Sequence, residues 1–166
     1  EYYGGNEFYS SYSCIGSTTC NVGILDTPPI LDYIFEFFDN DEKRNLTNYL
    51  PQIRIAGCPN SCATPQIARL GFSGRRKKDG EYFAIFARGK FDDKVVKLNE
   101  IIGEIKATKI PYFLEDIANI IKAENIEFEQ LVNEDRFIEL IEKYKEFELE
   151  AIDFNDFRKA DAKRAW

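Results

Sequence analysis

Histidine is absent from this 166-residue sequence, and so is methionine. Without histidine, imidazole acid–base catalysis, a histidine-ligated haem and a Cys2His2 zinc site are excluded for this chain by itself. No apolar run approaches the ~18–20 residues that a membrane span requires, and none near the start reads as a signal peptide. No membrane is therefore expected as a partner. Positive charge is also in deficit. With 22 Lys and Arg against 29 Asp and Glu the net charge is −7, which argues against nucleic acid as the main partner. The chain opens at Glu1 with no initiator methionine, and is expected to be a mature fragment or a piece of something longer.

What is present supports a folded domain. Hydrophobic residues make up 44% of the chain and include 14 Phe, enough to bury a real core. One domain is expected over residues 1–145, with a charged tail over 146–166. Charge is unevenly placed: residues 1–66 carry a net −5, residues 67–100 a net +4, and residues 101–166 a net −6. A basic middle between acidic ends suits an anionic ligand; a solvated hairpin with Lys and Arg on its outer face accounts for it equally well.

Local patterns give the elements. Asp26-Thr27-Pro28 is a helix start, with Thr27 at the N-cap and Pro28 at the first helical position. Ile30, Leu31, Ile34, Phe35 and Phe38 then recur at helical spacing. Gln52 to Gly57 alternates like a strand and runs into Cys58, while Pro65 to Leu70 reads as a short helix. Leu70 to Ser73 and Tyr82 to Ala87 read as strands joined by a charged turn, Arg75 to Gly80, and Ile101 to Ile105 as a further strand. Two apolar helix faces follow, through Phe113, Leu114, Ile117 and Ile121, and through Phe137, Leu140, Ile141 and Tyr144. Strands and helices mix without βαβ alternation, so the class is α+β, a mixed sheet with flanking helices.

The four cysteines carry the chemistry. Cys14 and Cys20 have five residues between them, Cys58 and Cys62 have three, and 37 residues separate the pairs. In the cytoplasm, the expected location, thiols stay reduced, and four clustered cysteines read better as ligands of a soft metal than as disulfides. Zinc knuckles hold their cysteines ~2–4 residues apart, so the first pair is wide for one. Cluster cysteines are spaced more loosely. Spacing alone favours an iron–sulfur cluster over zinc, with buried free thiols third.

The residues around the second pair carry a resemblance. Gly57-Cys58-Pro59-Asn60-Ser61-Cys62-Ala63 resembles the GCPNxC signature of sirohaem-dependent sulfite and nitrite reductases, and Gln66 to Gly74 resembles the segment that follows it. Cys14-Ile15-Gly16-Ser17-Thr18-Thr19-Cys20 has the family's shape for the first pair, a Gly within a five-residue gap. Tyr82 to Gly89, Gly103-Glu104-Ile105 and Lys109-Ile110-Pro111 extend the likeness. Residues 14 to about 145 thus look like the C-terminal, cluster-bearing half of such an enzyme. Two positions depart from the pattern: Ala87-Arg88-Gly89 stands where paired glycines are common, and Arg69 where an acidic residue is.

The resemblance implies that all four cysteines hold one 4Fe–4S cluster and that Cys62 also bridges to the iron of a sirohaem. It implies six-electron reduction of sulfite to sulfide or nitrite to ammonia, fed by an electron donor protein or domain. Cys62-Ala63-x-Pro65 leans to sulfite members and Asn60-Ser61 to nitrite ones. Gly57 lets backbone approach the cofactors, and Asn60 lies in the same turn; an ordinary tight turn would explain Pro59 and Asn60 without the flanking cysteines. Sirohaem carries many carboxylates, which makes Arg54 and Arg88 candidate contacts, while Arg75 to Lys78 reads better as a solvated turn. The family's substrate-binding Arg and Lys have no match here. An N-terminal half or second subunit is expected to complete the site for the small inorganic anion. A 4Fe–4S electron-transfer module without sirohaem is the alternative.

Overall fold

The computed structural model describes residues 6–91 and 94–146. Its centre is a five-stranded mixed sheet in the order β1-β2-β3-β4-β7, built from β1 (Tyr12–Ser13), β2 (Ile53–Ala56), β3 (Leu70–Lys77), β4 (Gly80–Ala87) and β7 (Glu100–Lys106). β1, β2 and β3 run parallel, and β3, β4 and β7 are antiparallel neighbours. Among the described residues, two further strands, β5 (Lys90–Phe91) and β6 (Val96–Lys97), pair only with each other. Helices α1 (Pro28–Phe38), α2 (Ile110–Glu124), α3 (Phe128–Val132) and α4 (Asp135–Glu146) complete the fold. This is the α+β mixed sheet with flanking helices that the sequence implies. Among the described residues, no helix is long and apolar enough to cross a membrane.

Period-two and helical patterning meet in the core. Ile53, Ile55, Leu70, Phe72, Phe83 and Ile85 are fully buried, and Phe113, Leu114 and Ile117 of α2 and Phe137 and Ile141 of α4 join the same cluster. Rings meet edge to face, Phe113 on Phe137 with centroids 5.7 Å apart and Phe128 on Phe137 at 6.2 Å. Asn125 ends α2 in the left-handed region, at φ 51, and its N–H donates to the Ile121 carbonyl. A buried Asn99 side chain joins three segments. Its amide donates to the Pro65 and Ala68 carbonyls at 2.9 and 2.6 Å, and its oxygen accepts from the Gly89 N–H at 2.6 Å.

Two sequence expectations are corrected. Arg75 to Gly80 is not one turn: Arg75, Arg76 and Lys77 lie on β3 and Gly80 opens β4, leaving only Lys78 and Asp79 between the strands. The charges there form cross-strand pairs, Arg76 with Glu81 at 3.4 Å and Lys77 with Glu104. Pro65 to Leu70 is not a helix either. It holds one 3-10 turn, Pro65–Ile67, because Leu70 is drawn into pairing with Ile53. The charged tail expected from residue 146 lies, past Glu146, outside the described residues.

Candidate metal centre

Parallel pairing is what brings the cysteine pairs together. β1 and β2 run side by side in the same direction, so the residues that follow them emerge at the same end of the sheet. Cys14 directly follows β1, and its N–H donates to the Ile55 carbonyl at 2.9 Å. Cys58 follows β2 one residue later than Gly57.

Each loop is shaped by its own backbone. Gly16 sits at φ +78, and a Cβ there would collide with the Asp26 carboxylate and approach the Thr27 nitrogen to 2.9 Å. The chain then curls so that the Cys20 N–H donates to the Gly16 carbonyl at 2.9 Å. The returning segment is tied by Ser17 N–H to the Leu25 carbonyl at 3.0 Å and Leu25 N–H to the Gly57 carbonyl at 2.9 Å. Gly57 admits this close approach, since a Cβ would strike the Leu25 carbonyl oxygen.

The second loop holds two non-glycine residues in the left-handed region, Ser61 at φ 58 and Thr64 at φ 50. Each such residue costs about 1–3 kcal/mol and persists only where its surroundings hold it. Here they do. Gln66 donates to the Ser61 hydroxyl at 2.7 Å, Arg54 donates to the Thr64 hydroxyl at 2.9 Å, and Ser61 donates to the Pro59 carbonyl at 3.0 Å. Beneath, the buried Ser73 hydroxyl fixes the loop to β3 by donating to the Cys58 carbonyl at 3.2 Å.

All four cysteines are free thiols and line one cavity of about 160 Å³, which Gly57 and Asn60 also line. Cys58 is buried, Cys14 and Cys20 are half-buried, and Cys62 is exposed. The four thiols share the wall of that cavity, and four soft donors are a set that a cuboidal iron–sulfur cluster takes. The Cys14 sulfur accepts from the Gly57 N–H at 3.1 Å and lies 3.3 Å from the Thr27 hydroxyl.

The candidate arginines stand apart from this wall. Arg54 lies over the Tyr12 ring at 5.4 Å and donates to Thr64 and Gln52; it supports the second loop rather than lining the cavity. Arg88, at φ 69, donates to the Val132 and Glu134 carbonyls at 2.8 and 3.3 Å, at the end of α3. Neither is among the cavity-lining residues, and neither is the run Arg75 to Lys78. Thr27 stands at the N-cap position that the sequence gives it, with Pro28 first in the helix. It lies in the helical region of φ and ψ, and its side chain makes no cap. No sequence signal points from Thr27 to Cys14, because the contact is made by the return of the loop.

The description of the nitrite and sulphite reductase 4Fe-4S domain matches residues 4–147. The sulfite reductase (NADPH) hemoprotein beta-component of Methylorubrum populi is 28% identical over 109 residues, 63% of this chain and 17% of that protein. The protein of the same name from Nitrosomonas europaea is 32% identical over 97 residues, 57% of this chain and 17% of its own length. The chain thus spans less than a fifth of these curated relatives. The solved structure of the Mycobacterium tuberculosis NirA protein superposes with a TM-score of 0.56 and 23% identity, covering 76% of this chain and 26% of that one. That likeness is one of fold.

Proposed function

The chain belongs to the nitrite and sulphite reductase 4Fe-4S domain family, and from that premise we propose that Cys14, Cys20, Cys58 and Cys62 hold one 4Fe–4S cluster, with Cys62 also bridging to the iron of a sirohaem. The observation that carries this reading is the meeting of two cysteine pairs, 37 residues apart, around one cavity. Cys62 suits the bridge because it is the exposed thiol of the four, with a side open to a second centre.

When bound, the two groups would relay a donor's electrons one at a time for the six-electron reduction of sulfite to sulfide or nitrite to ammonia. This chain's residues hold and shield. Gly57 and Asn60 offer backbone and a polar side chain at the cavity wall. Tyr12, Ile15 and Val22 line the cavity yet stay exposed, an apolar rim suited to cover by the rest of a complete enzyme. Arg54 and Arg88 already serve Thr64 and the α3 carbonyls, so the small anion and most cofactor carboxylates fall to an N-terminal half or second subunit. An electron donor protein or domain completes the assembly, and free thiols suit a reducing, cytoplasmic setting.

Anaerobic reconstitution tests the reading. Iron and acid-labile sulfide should each approach four per chain, with a broad brown absorption shoulder. Stoichiometric zinc without sulfide would overturn it. In the complete protein, haem-like bands separate this reading from an electron-transfer module that lacks sirohaem.

A further inference from the structure

The four thiols are not equivalent in their surroundings. Among the described residues, hydrogen bonds reach only one of the four sulfurs, that of Cys14, from the Gly57 N–H at 3.1 Å and at the Thr27 hydroxyl, 3.3 Å away. Thr27 is fully buried, and its hydroxyl donates to the Cys14 carbonyl at 2.8 Å. That carbonyl has a second donor, the Ser13 hydroxyl at 3.1 Å.

A threonine hydroxyl has one proton to give, and here it has two acceptors within reach. While Cys14 is a thiol, its own S–H can point at the Thr27 oxygen, and the hydroxyl proton stays on the carbonyl. A cluster ligand is a thiolate: the S–H proton is lost and the sulfur becomes an anionic acceptor. Hydrogen bonds to charged acceptors are about twice as strong as neutral ones, and more so away from water. We propose that in the ligated state the Thr27 hydroxyl turns from the Cys14 carbonyl to the Cys14 sulfur, and thereby raises the reduction potential of the cluster. Only the O–H bond rotates. The carbonyl keeps Ser13, so no buried acceptor is stranded.

The sign follows from charge. Reduction adds one electron and no proton, and the extra negative charge spreads onto the sulfurs, where a donor stabilises the reduced form more than the oxidised one. The inference rests on the four cysteines being cluster ligands, and its test keeps the two questions apart. The full chain, reconstituted anaerobically, is titrated with dithionite in the presence of redox mediators, as wild type, Thr27→Ser and Thr27→Val. Thr27→Val should move the one-electron equilibrium towards the oxidised form by about three- to tenfold, ~28–59 mV to more negative potential. Thr27→Ser, which keeps the hydroxyl, should titrate with wild type. A fully loaded Thr27→Val at the wild-type midpoint overturns the proposal, and so does Thr27→Ser shifting as far as Thr27→Val. Should Thr27→Val not load, pulsed EPR of reduced wild type and Thr27→Ser after exchange into D2O decides. Both should show an exchangeable hydroxyl proton beside the Gly57 amide proton, and the amide alone overturns the proposal. A wild type that takes up no cluster sinks the ligand assignment instead, a separate result.

Discussion

Ser73 and Cys58 are 15 residues apart in sequence, yet the hydroxyl of the first donates to the carbonyl of the second at 3.2 Å, from inside the sheet. The contact pins the second cysteine loop to β3, the strand between β2 and β4. The Ser61 N–H also reaches the Cys58 carbonyl, at 3.1 Å, so removing Ser73 weakens the anchor without stranding the oxygen. Ser73→Ala should therefore cost about 1 kcal/mol in urea unfolding of the metal-free chain. Loss of iron to a chelator should also be faster than in wild type. An unchanged midpoint and an unchanged release rate would show that the anchor is idle.

Cys58→Ser and Cys62→Ser should part company in a complete sirohaem protein. Both remove a proposed ligand from the same turn, one buried and one exposed. Both should labilise the cluster, because metal binding is coupled to the order of its loops. Only Cys62→Ser should alter the haem bands at matched cluster occupancy, read by optical and EPR spectra. Identical haem responses would remove Cys62 from the bridging role.

Arg69 gives the fold an acid-sensitive tie. Its guanidinium donates to both carboxylate oxygens of Glu129, at 2.6 and 2.9 Å, and pairs with Glu7. Partial burial pushes the Glu129 carboxyl up, but the Arg69 hydrogen bonds outweigh it, and the group ends below its ordinary value of 4.5. The pair thus contributes stability above pH 4.5 and loses it as pH falls through the lower, folded value. Both side chains are partly exposed, so the contribution at pH 7 is up to about 1 kcal/mol. Arg69→Met should be less stable than wild type at pH 7, with the gap closing below pH 4.5; a gap constant with pH would refute the tie.

Legibility in the sequence followed the range of the forces. The start of α1 is local: Pro28 has no N–H to lose at a position where none is needed, and Thr27-Pro28 was enough to find it. The cysteines stand out as a set because soft-metal chemistry restricts residue type, and the structure brings both pairs to one cavity. Short elements were not. The 3-10 turn Arg44–Tyr49, the β5–β6 pair and α3 are each too brief to show a period. Arg88 is a candidate sirohaem contact because the resemblance implies a cofactor rich in carboxylates, and only the tertiary path of α3 shows its guanidinium on backbone carbonyls. The role of Thr27 needed the loop closure that no local pattern encodes.

Strand β1 has two residues and lies at a sheet edge, and its partner β2 begins about 40 positions later in the chain. Joining them closes a long loop for very few hydrogen bonds, so this corner should open and reclose while the middle of the sheet stays intact. Amide exchange of the metal-free chain is the measurement: the Cys14 and Leu25 N–H groups should exchange well ahead of Phe72 and Ile85, and equal protection would contradict it. Seen this way, the site is a door hung on the sheet. Cys58 and Cys62 are on the frame and Cys14 and Cys20 on the leaf, so a cluster handed over ready-made could enter without the domain unfolding.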